Sequence, residues 1–227
     1  MTPETEDLVR SATRWTTVPF VPEVTLLTAA EPFGLWDRTA LDAPPFWAFP
    51  WAGGQGLARY LLDHPETVAG RAVLDVACGS GLVAIAAAKA GARSVLASDI
   101  DDNALAAVAL NAAANEVPVV TPCRLDLAAA LPPTLGAPTP GTFGGAGGHG
   151  GTDIVLAADV FYQRDLAAMA LRFLLAARQN GADVLVADPG RAFVPRESLS
   201  ALATYRVPVL TVLEDAPVKE VTVYHLQ

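Results

Sequence analysis

Residues 73–88 read VLDVACGSGLVAIAAA, and the reading of this stretch decides the fold. An apolar run reaches Asp75, a short turn carries Gly79 and Gly81, and a second apolar run follows at once. The first run is too short for a helix and reads as a strand buried on both faces; the second, LVAIAAAKA, reads as a helix ended by Gly91. Glycines in such a turn let backbone N–H groups come close to a ligand, and the helix N-terminus adds a partial positive charge. Gly79, Gly81 and Ala84 also satisfy the G-x-G-x-x-A pattern of dinucleotide-binding turns, so a nicotinamide-dependent oxidoreductase is the alternative at this point. Asp75 weighs against it: a carboxylate at the end of this strand repels a pyrophosphate but suits the α-ammonium of an amino-acid cofactor. The long lead-in before residue 71 weighs against it too, because nicotinamide folds usually open with this unit.

Downstream, the pattern repeats. SVLASD (94–99), PVVTPCR (118–124), DIVLAAD (153–159) and DVLVAD (183–188) read as further strands. DNALAAVALNAAAN (102–115) and DLAAMALRFLLAA (165–177) read as helices, the latter with Gly181 past its end. Strands of this kind, alternating with helices, predict a doubly wound α/β domain with a mostly parallel sheet. TYRVPVLTVLE (204–214) and KEVTVYHLQ (219–227) are joined by a linker too short for a helical crossover. They are expected to close the sheet as an antiparallel hairpin.

Upstream, Thr2-Pro3 with Glu4 and Glu6 reads as a capped helix start, and Val24–Leu27 as a β-like run. Residues 1–52 are read as an extension packing on the core, and 53–227 as the main domain, whose first helix spans about 53–63. Residues 131–151, LPPTLGAPTPGTFGGAGGHGG, have almost nothing to bury and read as a mobile insertion; His149 within it is expected to be solvated.

Composition bounds the function. Of 227 residues, 52% are hydrophobic, but no apolar stretch is long enough for a membrane span, and the first residues lack a secretory signal. Two cysteines, Cys78 and Cys123, are too few for a disulfide framework, so the composition predicts a reduced, soluble, cytoplasmic protein. A net charge of −9 disfavours nucleic acid and suits a basic partner, and with no apolar span no membrane partner is expected. Neither a metal-ligand spacing nor a Ser-His-Asp grouping occurs, so no metal site is expected.

The candidate site residues lie at strand ends. Asp99, 18 residues after Gly81, is placed to accept both hydroxyls of a ribose, while Asp101 is the better cap for the following helix. Asp126 is read as an acceptor for an adenine amino group, with Leu127 against the ring; a surface turn competes with that reading. Trp51, beside Gly53 and Gly54, either lies against adenine or plugs the core, whereas Trp47 reads as core. Asp188 either lines an acceptor site or caps the next helix.

The D-x-x-x-G-x-G stretch and Asp99 resemble class I S-adenosylmethionine-dependent methyltransferases. PPFWAFPWAGGQGLARYLLDHP (44–65), VLDVACGSGLVAIAAAKAGA (73–92), DVFY (159–162) and ADPGR (187–191), in that order, are similar to the electron-transfer-flavoprotein β-subunit lysine methyltransferases and their bacterial relatives. The resemblance implies a seven-stranded Rossmann-like methyltransferase fold and S-adenosylmethionine as cofactor. It also implies a lysine-bearing protein acceptor, either the flavoprotein subunit or a ribosomal protein. DVFY matches the D-x-x-Y signature of that wider group, which makes Asp159 and Tyr162 the catalytic candidates. Asp159 would hold the acceptor amine and Tyr162 orient it; the competing reading has Asp159 capping the next helix. A non-catalytic adaptor with the same fold is the remaining alternative. The 131–151 insertion departs from the family pattern.

Overall fold

The apolar runs become buried strands in the computed structural model, which describes residues 2–29, 45–129, 151–211 and 214–227. In chain order these carry α1 (Pro3–Ala12), β1 (Arg14–Val18), β2 (Val21–Thr28), α2 (Ala52–Asp63), β3 (Ala72–Val76), α3 (Leu82–Lys89) and β4 (Ser94–Asp99). There follow α4 (Asp102–Ala114), β5 (Val120–Arg124), β6 (Ile154–Ala158), α5 (Arg164–Gln179), β7 (Asp183–Asp188), β8 (Leu199–Pro208) and β9 (Val218–Leu226).

Seven strands form one sheet in the order β5-β4-β3-β6-β7-β9-β8. The first five run parallel, and β9 runs antiparallel to both of its neighbours, β7 and β8. Side-chain alternation assigns the two faces. Val73, Val95, Ala97, Ile154, Leu156 and Leu185 face a core shared with α2, α3 and α4. Leu74, Val76, Val155, Ala157, Val184 and Val186 face a second core closed by α5. Only Ala88 and Lys89 of α3 escape full burial, which is why its sequence shows no polar face. β3 pairs with β4 on one side and β6 on the other, so the chain reverses its winding beside β3. A crevice opens beyond the carboxyl ends of the strands at such a point.

Two expectations change. The hairpin's first strand begins at Leu199 and ends at Pro208, not across 204–214, because it pairs with β9 from Leu226 back to Val218, with one register shift at Leu202. Its early residues are largely exposed at the sheet edge and so lack an apolar alternation. Secondly, Val24–Leu27 belongs to a longer strand, β2, paired with β1 in a separate two-stranded sheet. This hairpin is fixed to the main sheet's helices by polar side chains as well as by apolar packing. The Leu27 N–H donates to Asn111 Oδ1 at 2.8 Å, and Thr25 exchanges two bonds with Asn115. Two helix starts follow the expected chemistry: Thr2 caps α1 and Asp101 caps α4. The 131–150 segment, and with it His149, lies outside the described residues.

Candidate active site

A cavity of about 540 Å³ occupies the crevice, within the usual range for small-molecule sites. The turn after β3 forms one wall. Ala77 and Gly79 take positive φ, and Gly81, at φ 80°, is left-handed where the chain enters α3. A Cβ on Gly81 would also stand 3.1 Å from Val108 Cγ2, so the approach to α4 is close. Gly81 has no capping side chain, and Asp75 Oδ2 instead accepts from the Ala84 N–H in the first turn of α3 at 3.0 Å. Burial pushes the Asp75 carboxyl up to about 8; that hydrogen bond opposes the shift and the nearby Asp99 charge adds to it. Asp99 Oδ2 accepts from the Gly79 N–H at 2.9 Å and Oδ1 from the Asp101 N–H at 3.1 Å. Burial raises its pKa against those two bonds.

Across the cavity, Asp159 follows β6 with φ 55°, a left-handed conformation that short polar residues tolerate best. It does not cap α5, whose first residue is Arg164. Its Oδ2 accepts from the Gly54 N–H at 2.9 Å, at the start of α2. Trp51 is the N-cap residue there and offers no side-chain oxygen, so Asp159 takes an otherwise orphaned helix donor. The approach demands glycine: a Cβ on Gly53 would stand 2.5 Å from Asp159 Oδ2 and 2.8 Å from the Ala187 carbonyl oxygen. Burial pushes Asp159 up to about 7, against the lowering effects of Arg191 and Gly54, with Asp188 adding to the rise.

Aromatic rings connect the two walls. The Phe46 ring lies 5.9 Å from Trp51 and 5.5 Å from Tyr162, centroid to centroid. The Trp51 indole N–H donates to the Phe46 carbonyl at 2.8 Å, which fixes its orientation. Tyr162 lines the cavity and is partly exposed, with burial and Asp99 raising its pKa. Trp47 is buried as expected, although it also borders the cavity.

Trp51, Asp75, Gly79, Asp99, Asp159 and Tyr162 therefore share one cavity, with Gly81 at the turn behind it. Asp126 and Leu127 do not line it. Asp126 Oδ1 accepts from the Ala128 N–H at 2.8 Å, which closes a local turn, and Leu127 turns into the core beneath α5. Asp188 likewise closes a turn, accepting from Gly190 and Arg191 N–H groups. Sequence reading missed two residues. Arg191, the last residue of ADPGR, reaches Asp159. Asn111 donates to the Ser80 carbonyl at 2.8 Å and so ties the glycine turn to β2. An amide in an otherwise apolar helix was the available signal for Asn111.

The ribosomal protein L11 methyltransferase family model matches residues 60–130. An electron transfer flavoprotein beta subunit lysine methyltransferase of Danio rerio is 37% identical over 195 residues, covering 82% of this chain and 69% of that protein. The Homo sapiens protein of the same description is 36% identical, covering 69% of this chain and 54% of its own length. Among solved structures, a Streptococcus mutans protein described as a candidate methyltransferase aligns with TM-score 0.59 at 11% identity, covering 95% of this chain and 56% of the other. One from Pyrococcus horikoshii, described as a candidate RNA methyltransferase, gives 0.56 at 15%, covering 82% and 90%. At these identities the two structures bear on the fold, which is the methyltransferase sheet. The chain belongs to the electron transfer flavoprotein beta subunit lysine methyltransferase family, within the class I S-adenosylmethionine-dependent methyltransferases.

Proposed function

We propose that the protein transfers a methyl group from S-adenosylmethionine to a lysine side chain of a protein acceptor. The observation that carries the proposal is the acidic lining of the cavity. Asp75, Asp99, Asp101, Asp159 and Asp165 line it, and Arg191 is the one basic residue among the described lining residues. A bound cation would favour the ionised forms of Asp75 and Asp159 against their burial, so such a wall suits two cationic partners, a sulfonium with its α-ammonium and a lysine nitrogen.

S-adenosylmethionine supplies a methyl carbon on a positively charged sulfur, already a good leaving group. The Gly79–Gly81 turn, Asp75 and Asp99 are the residues that would hold it: backbone donors and a carboxylate for the amino-acid end, a carboxylate for the ribose. Trp51 would lie against the bound molecule. Proximity does most of the remaining work. The lysine nitrogen's lone pair forms the new C–N bond as the C–S bond breaks. With the methyl group transferred, the sulfur would be left neutral, the positive charge would pass to nitrogen, and the nitrogen's proton would go to water. Asp159 would steady that charge and Tyr162 orient the nitrogen.

The flavoprotein β subunit is the preferred acceptor and ribosomal protein L11 the second, in keeping with the relatives' descriptions. Cytoplasmic action is part of the proposal and is supported by two free cysteines. Among the described residues no helix is long and apolar enough to cross a membrane. Family membership removes the oxidoreductase alternative. An adaptor would bind cofactor without turnover. Incubation of the purified protein with methyl-labelled S-adenosylmethionine and either acceptor is therefore expected to label lysine-bearing peptides. Cofactor binding with neither acceptor labelled, and no labelled band in a cell lysate, would overturn the proposal.

A further inference from the structure

Arg191 stands between two carboxylates that it does not share equally. Nη1 and Nη2 donate to Glu214 Oε2 and Oε1 at 3.1 and 2.7 Å, whereas the bond from Nη2 to Asp159 Oδ1 is 3.3 Å. The first contact is the two-pronged arrangement that binds guanidinium best; the second is long. Glu214 is almost wholly buried, with Lys219 Nζ 3.8 Å away, so solvent does little to weaken its hold. The Arg191 backbone is pinned as well, because its N–H and that of Gly190 both bond to Asp188 Oδ1. This cation borders the cavity beside the carboxylate assigned to the acceptor.

We propose that Arg191, drawn back by Glu214, is a positioning residue that sets the charge balance at the acceptor nitrogen. The inference rests on the lysine-methylation reading above and deepens it. An arriving lysine is an ammonium without a lone pair. Asp159 alone would grip that ammonium and oppose loss of its proton. A guanidinium beside the same carboxylate repels the ammonium and so favours the neutral amine. Full engagement of Arg191 with Asp159 would go too far, neutralising the carboxylate and closing it to the substrate. Glu214 holds the compromise: Asp159 can ionise near neutral pH and keeps room for one more donor. The groups facing Asp159 are the Gly54 N–H from α2, Arg191 and Asp188 from the end of β7, and Glu214 and Lys219 behind Arg191. Burial pushes Asp159 up to about 7, so this balance operates near neutral pH.

The test combines two measurements on the full-length protein. The first is a carbon-13 NMR titration of the Asp159 carboxyl without ligand, assigned with Asp159→Asn. The second is the pH–rate profile of methyl transfer to the flavoprotein β subunit. Arg191→Met is expected to raise the Asp159 midpoint by at least about one pH unit. The acid limb of kcat/KM should follow it, with S-adenosylhomocysteine affinity unchanged, and Arg191→Lys should recover part of the shift. Glu214→Gln is expected to act oppositely, lowering the midpoint and raising KM for the acceptor severalfold with a smaller change in kcat. Should Arg191→Met fail to fold, the Lys and Gln variants carry the same comparison. A midpoint that stays put in the variants overturns the inference whatever the turnover assay gives. Midpoints that move while the wild type labels no acceptor would overturn the methylation reading and keep the electrostatic coupling.

Discussion

The cavity's two walls are built at very different ranges along the chain. On the cofactor side, Asp75 is held by a backbone N–H 9 residues away, and Asp99 by N–H groups 20 and 2 residues away. On the acceptor side, Asp159 is held from 105 residues away by Gly54 and from 32 by Arg191, itself held from 23 by Glu214. The first wall is a product of one strand-turn-helix unit and its neighbour. The second exists only once α2, β6, β7 and the approach to β9 have met. Under the proposed assignment of the walls, local geometry would fix where a common cofactor sits, and long-range assembly would set what a particular acceptor meets. Changes on the acceptor side should therefore cost rate, and changes on the cofactor side affinity.

Asp159→Asn tests this division most sharply. Asparagine can still accept from Gly54 but carries no charge to favour a cationic nitrogen. Methyl transfer is expected to fall by roughly two orders of magnitude, or about 2.7 kcal/mol, with S-adenosylhomocysteine affinity almost unchanged. Steady-state rates measured beside a cofactor titration decide it, and full activity would return Asp159 to a purely structural part. In the wild type the pH dependence has a definite sign. The ionised carboxyl is the working form, so kcat/KM should rise as pH passes through about 7.

Asp99→Ala addresses the other wall. It removes a charged acceptor proposed for two ribose hydroxyls, each such bond contributing roughly 1.5–3 kcal/mol. Calorimetry should find binding of S-adenosylhomocysteine at least about tenfold weaker, with the melting curve nearly intact because only local N–H groups lose a partner. Should the fold collapse instead, the contrast between local and distant support fails.

Asp75→Asn has the smallest expected effect, and its sign is opposite for stability and binding. In the folded protein the Asp75 pKa is raised from 3.8 to about 8, so between those values the folded state holds a proton that the unfolded state has released. Stability is therefore greatest at acid pH and is lost as pH rises through about 8. The Asn variant should flatten that slope and gain about 0.5–2 kcal/mol at pH 8, measured by denaturant melts, while binding cofactor less tightly.

The same division governs what could be read beforehand. The central sheet, the glycine turn and Asp99 were legible because strand, turn and helix signals fall within one short window. β1 and the first half of β8 were not: one is a short, largely exposed strand of a two-stranded sheet, the other an exposed edge, and neither carries the apolar alternation that reading depends on. Asp159 and Tyr162 were found through a family signature, not through their surroundings. Nothing in the sequence announces that Gly54 and Glu214 meet that signature through Asp159 and Arg191. Asp126 had the residue type suited to its expected part but spends one oxygen on its own turn, a contact that composition cannot distinguish from a ligand.

Gly53 sets a mechanical limit on the acceptor wall. Between the start of α2 and the carbonyl edge of β7 there is clearance for a hydrogen atom and not for a methyl group. The helix thus works as a stop resting on the sheet, and this side of the cavity cannot be narrowed by letting it settle further. Reshaping the passage for a larger or smaller nitrogen has to begin at side chains that face the open space, such as Tyr162 or Met169, since the backbone frame on this side has no slack left to give.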